Sequence, residues 1–157
     1  MIKLERRNGF TLIEAMIAAS LIVLMVAIII PAVDLAKRSR ENAQAARKLQ
    51  TAVEAFELYA AETGGYPADV GPGVIPPEMA TYYFPYFKIS WWENLTELGG
   101  NWDWDAGYHG FNFSVSFCAP SRSQEQMEDF DRRVDDGNLN AGNFRKVDSQ
   151  YHYIIED

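Results

Sequence analysis

The chain predicts an α+β fold: one long N-terminal helix, apolar all round and then amphipathic, packed on a small three-stranded antiparallel sheet. Three observations predict it. Residues 10–33 read FTLIEAMIAASLIVLMVAIIIPAV, almost unbroken apolar sequence. Residues 34–63 keep a helical period but divide into an apolar and a charged face. Three later runs, at 102–105, 111–117 and 151–155, are β-prone, and the middle one alternates strictly. A length of 157 residues leaves room for one compact domain.

The apolar segment is long enough to cross a hydrocarbon core of about 30 Å. Lys3, Arg6 and Arg7 precede it, so the positive-inside rule keeps that flank cytoplasmic and places the rest of the chain outside. A cleaved secretory signal fits poorly, because its core is about 7–15 residues and ends at a small-x-small site, whereas this one runs into IIIPAVDLAKR. A plain anchor has no use for Glu14, whose carboxylate costs roughly 2–3 kcal/mol at mid-helix. At a helix end such an acid either snorkels to the headgroups, takes a proton, or meets a cation. Cleavage after Gly9 would supply a cation, the α-amine of Phe10, about one helical turn from Glu14 within a subunit and open to direct pairing between staggered subunits.

Gly9-Phe10-Thr11-Leu12-Ile13-Glu14, with Arg6 and Arg7 upstream, resembles the prepilin peptidase motif of type IV pilins and type II secretion pseudopilins. The resemblance implies a leader at 1–9, cut between Gly9 and Phe10 by a membrane aspartyl protease that also methylates Phe10. It implies a transmembrane and assembly helix at 10–33, an amphipathic continuation at 34–63 and an extracytoplasmic head at 64–157. Glu14 and Pro31 are the implied assembly residues, the proline removing a backbone bond and loosening or kinking the helix. The implied partners are prepilin peptidase, further copies, other pilin-like subunits and an inner-membrane assembly platform. The implied location is the inner membrane, single-pass, with the head in the periplasm.

In the amphipathic stretch, Ala46, Leu49, Val53, Phe56 and Ala60 form the apolar stripe, opposite Arg47, Lys48, Gln50, Glu54 and Glu57. Gly64-Gly65 ends it. A helix from Phe10 to Thr63 would be roughly 80 Å long at 1.5 Å per residue, and its first half has no partner in the chain except lipid or another subunit. Tyr59 followed by Gly64-Gly65-Tyr66-Pro67 resembles the helix exit of major pseudopilins. Cys118 is the single cysteine, which excludes the C-terminal disulfide loop common in type IV pilins. Both features favour a secretion pseudopilus over a pilus for adhesion, motility or DNA uptake.

Residues 66–101 read as irregular and aromatic-packed, with Tyr82, Tyr83, Phe84, Tyr86, Phe87, Trp91 and Trp92. Residues 106–110 join the first two strands, and Phe111, Phe113, Val115 and Phe117 face Val53 and Phe56 of the helix. Ser121-x-x-Gln124 offers a capping box for a short peripheral helix marked by Met127, Phe130 and Val134 and ending at Gly137.

The chemistry-bearing residues are few. Asp136, Asn138 and Asn140 copy the opening spacing of a calcium loop, but the glycine is misplaced and no glutamate closes it, so an ordinary polar turn competes with a calcium site. No other cofactor is expected. His109 and His152 fall on different elements, and Cys118 has no recognisable orienting partner, so no enzyme is expected. A rival function is a tethered binding module that uses its aromatic surface with Asp103 and Asp105 and never polymerises. A net charge of −8 argues against nucleic acid.

Overall fold

The computed structural model describes residues 10–79 and 89–157, so the leader at 1–9 and the aromatics from Tyr82 to Phe87 lie outside the described residues. The chain divides into two compact units, Met1–Lys37 and Arg38–Asp157. Helix α1 runs Leu12–Thr63 without a break at Pro31. In the first unit every described residue, Phe10 to Lys37, is exposed. Helix α1 is the one helix among the described residues long and apolar enough to cross a membrane.

The second unit is a helix-on-sheet head. After α1 come α2 (Ile89–Trp92), β1 (Asn101–Ala106), β2 (Phe113–Cys118), α3 (Gln124–Val134), β3 (Phe144–Val147) and β4 (Gln150–Glu156). The sheet order is β1-β2-β4-β3, all pairs antiparallel, so there are four strands where the sequence predicts three. The unforeseen strand is β3, an edge strand of four residues carrying Arg145 and Lys146, too short and too charged to show a period. It joins β4 through Asp148-Ser149, with Asp148 at φ 52° in the left-handed region that aspartate tolerates.

The core lies between α1 and one sheet face. Ala45, Leu49, Ala52, Ala55 and Phe56 meet Trp102, Trp104, Val115, Phe117, Phe144 and Tyr151. Phe56 stacks on Trp104 with ring centroids 3.9 Å apart. The buried stripe is thus turned by about one residue from the predicted one: Ala46 and Val53 are half-buried at its rim. Helix α1 stops where Gly64 takes φ 84° and donates its N–H to the Ala60 carbonyl, as the glycine pair predicts. Strand β2 starts at Phe113 rather than Phe111; Phe111 leaves the core face and lies 5.6 Å from the His152 ring.

Two expectations about α3 change. Its N-cap is Ser123, whose hydroxyl accepts the Gln126 N–H at 3.3 Å, not Ser121. It is also not peripheral: Met127 and Phe130 are fully buried, and Phe130 packs edge-on against Phe117 and Phe144. Its polar side is buried too: the Gln126 side-chain amide donates to Asn42 Oδ1 of α1, the Asn42 amide donates to the Gln126 backbone carbonyl, and just before the helix Arg122 grips Glu41 through two nitrogens.

The outer edges of the sheet are covered by the chain itself. Beside β1, the Gly73 N–H reaches the Trp102 carbonyl at 2.7 Å and Asp69 receives the Ala106 N–H. Beside β3, the Phe144 N–H goes to the Asp135 carboxylate and the Lys146 N–H to the Leu139 carbonyl.

Candidate functional site

The N-terminal site is built on the first turn of α1. Thr11 sits just before the helix, and its hydroxyl oxygen accepts the Glu14 N–H at 3.2 Å. Glu14 reaches back: its Oε2 accepts the Thr11 N–H at 2.8 Å and the Thr11 hydroxyl at 2.7 Å. This reciprocal pattern is a capping box, T-x-x-E, which satisfies two of the helix's orphan N–H groups at once. It gives the carboxylate a partner inside its own chain, which the sequence reading overlooked although the spacing was legible. Phe10 precedes it with three quarters of its surface exposed. Gly9 lies outside the described residues. Seventeen positions beyond Glu14, Pro31 removes the N–H that would bond the Ala27 carbonyl.

Beyond this cap, as far as Val33, the helix offers apolar side chains except at Ser20, whose hydroxyl donates to the Met16 carbonyl. Leu12, Ile13, Met16, Ile17, Leu21, Ile22 and the residues beyond stay open on all sides, a surface that water does not tolerate at this length. Basic flank, glycine, aromatic residue, glutamate and apolar helix follow in order, and residues 5–30 match the model of the prokaryotic N-terminal methylation motif. The chain carries a type IV pilin-like precursor signal. The methylation motif is the hallmark of prepilin-type precursors, pilin and pseudopilin alike. It covers the first part of α1 and leaves the head unmatched; no curated protein and no solved structure matches the chain.

The head holds two clusters of buried polar groups. On the sheet face away from the core, Ser114 Oγ lies 3.1 Å from His152 Nδ1, and Asp105 Oδ2 lies 3.4 Å from that same nitrogen. A serine relay needs the hydroxyl and the carboxylate on opposite imidazole nitrogens, so this arrangement does not form one. His109 and His152, expected on separate elements, meet with ring centroids 4.7 Å apart. Asp103 on the same face is held up to about 8, first by burial, then by Asp105 and Asp69. Burial, and then Asp103 and Asp105, also push the Cys118 thiol up, away from the reactive thiolate.

The second cluster lies at the end of α3. Asp131, Asp135 and Asp136 bring carboxylate oxygens within 4.8 Å of one another. Of the predicted trio, only Asp136 belongs to this group. Asn138 Oδ1 instead accepts the Asn140 N–H at 3.2 Å within the turn, and the Asp136 carboxylate accepts the Asn138 N–H at 2.7 Å. Asp131 was missed in the sequence, where an aspartate inside a polar helix looks like a solvated one. Burial pushes it up to about 6, helped by Asp135 and Asp136; the Gly137 amide opposes this at a geometry too loose to count as a hydrogen bond.

Proposed function

We propose that the chain is a filament subunit of a type II secretion pseudopilus or a related machine. Prepilin peptidase cuts between Gly9 and Phe10 and methylates Phe10. The apolar helix holds the subunit in the inner membrane with its head in the periplasm, and Glu14 then guides it into a filament of like and related subunits on the assembly platform. The observation that carries the reading is an exposed apolar helix headed by a paired carboxylate, directly behind the methylation motif. A membrane-tethered binding module could use the carboxylate as a helix cap but would have no need of the motif. The single cysteine supports the secretion branch over a disulfide-looped pilus subunit.

Intact mass and N-terminal sequencing of the protein from its native membrane, with and without prepilin peptidase, test the processing. The expected product begins at methylated Phe10. Glu14→Ala should leave the subunit in the membrane and abolish sheared filaments. Retention of Met1, together with filaments unaffected by Glu14→Ala, would return the chain to the tethered-module reading. Deletion of the subunit should block protein export with surface pili intact; loss of twitching or adhesion with export intact would assign it to a pilus instead.

A further inference from the structure

The chain has two histidines, and neither the N-terminal signal nor the helix-on-sheet core employs them. The fold nevertheless brings them together. His152 stands on β4 and is fully buried, and His109 sits at the tip of the β1–β2 hairpin with its ring centroid 4.7 Å from that of His152. The tip is a closed turn. The Gly107 N–H reaches the Asn112 carbonyl at 2.8 Å, the Phe111 N–H reaches that of Tyr108 at 3.1 Å, and the Asn112 N–H ties the turn to the Glu156 carbonyl of β4. His109 takes φ 57° within it and is exposed, and the glycines at 107 and 110 border open space, so its side chain has room to turn.

The two nitrogens of His152 are treated differently. Nδ1 lies 3.1 Å from Ser114 Oγ and 3.4 Å from Asp105 Oδ2. Asp105 acts there through its charge, since that oxygen makes no hydrogen bond. A carboxylate on this side favours the tautomer with its proton on Nδ1, where the serine oxygen accepts it. Nε2 then carries a bare lone pair, and it is buried without a hydrogen-bond partner. A buried acceptor in that state is costly. A neutral imidazole with a carboxylate behind one nitrogen and the other nitrogen open is also the form in which histidine ligates a metal. Arg145, opposite His152 on β3, does not oppose a cation here with its full charge: its guanidinium is engaged by the Gly142 carbonyl at 2.6 Å and the Asp157 carboxylate at 3.4 Å.

We propose that His109 and His152 together bind a divalent transition-metal ion, with water in its remaining positions. Imidazole nitrogen selects copper, nickel or zinc over calcium and magnesium, which take oxygen. The spacing fits such an ion. Two imidazole nitrogens at about 2.0–2.1 Å from one metal, subtending roughly 90–110°, leave their ring centroids about 4.5–5.2 Å apart. The observed 4.7 Å falls toward the short end of that range, which belongs to the near-right angles of copper and nickel rather than to tetrahedral zinc. The Nε2 lone pair gains the partner it lacks, Asp105 offsets the charge of the ion, and the ion pins the hairpin tip to β4. This inference is independent of processing and of filament assembly.

The test uses the full, untagged chain in detergent, stripped with a chelator and titrated by calorimetry with nickel and then with copper(II). Nickel should bind with a dissociation constant on the order of 10⁻⁵ M, about half the binding free energy of a four-ligand zinc site, and copper more tightly. Electron paramagnetic resonance of the copper form should show coupling to two imidazole nitrogens, which in this chain can come only from His109 and His152. His109→Gln and His152→Gln should each weaken nickel about tenfold or more and leave copper coupled to one imidazole. Absence of binding, copper coupled to no imidazole, or native nickel affinity in His109→Gln would overturn the proposal. If His152→Gln does not fold, the exposed His109→Gln decides alone.

Discussion

Thr11 and Glu14 show how two residues share one task. The Glu14 carboxylate accepts two bonds on one oxygen from Thr11, so its charge is partly compensated before any neighbour arrives. Thr11→Val deletes the hydroxyl's bonds at nearly constant shape; loss of such a cap costs about 1 kcal/mol at the helix end. It should lower the yield of sheared filaments relative to subunit retained in the membrane, and Thr11→Ser should restore it. Equal yields from both variants would leave Thr11 without a part in assembly. Asp103 offers a second residue-scale prediction. Its folded value of about 8 lies above the ordinary carboxylate range, so the folded head holds the proton more tightly than the unfolded chain does. That stabilisation is complete below about pH 4 and is lost as pH rises through about 8, at up to about 1.4 kcal/mol per pH unit. Asp103→Asn imitates the protonated acid, so melting temperatures at about pH 5 and about pH 8 should differ less in the variant than in the native chain. A parallel decline in both would place the dependence away from Asp103.

At the scale of elements, the helices and strands differ in how much of themselves the sequence discloses. The membrane helix is a local, one-dimensional signal, and so is its T-x-x-E cap. The amphipathic half of α1 keeps its period in the sequence, but alanines at 43, 45, 46, 52 and 55 give little contrast, so the true face is identifiable only once the tryptophans of β1 are in place. Helix α3 conceals its burial because Gln126 and Asp131 are core residues by position, the first through Asn42 and Glu41. Strand β3 conceals itself through its charges. The acidic cluster at the end of α3 is half legible for the same reason: spacing marks Asp136, whereas Asp131 inside a polar helix reads as solvated. If α3 is part of the core, Phe130→Ala should cost about 3–5 kcal/mol. Denaturant unfolding of the full chain in detergent would detect this at once; a change under about 1 kcal/mol would return α3 to the periphery.

At the scale of the whole molecule, the two units carry opposite surfaces. From Leu12 to Val33 the first exposes an almost wholly apolar surface, while the second packs most of its described aromatics into the core and carries most of the acidic residues behind the net charge of −8. That apolar helix surface is driven toward lipid or other apolar helices; the head has no such need. Charge on the edge strand β3 belongs to the same division. Arg145→Val combined with Lys146→Val would turn β3 into an apolar edge, and light scattering of the concentrated protein should rise above that of the native chain. Unchanged scattering would mean that the segment at Leu139 shields the edge without help from charge. The covered edges of the sheet have a further consequence. A head whose outermost amides are already occupied offers no ladder for a second head to extend, so crowding does not seed fibrils. At those positions a neighbouring head finds no free backbone group, so contact between heads does not run through a shared strand there.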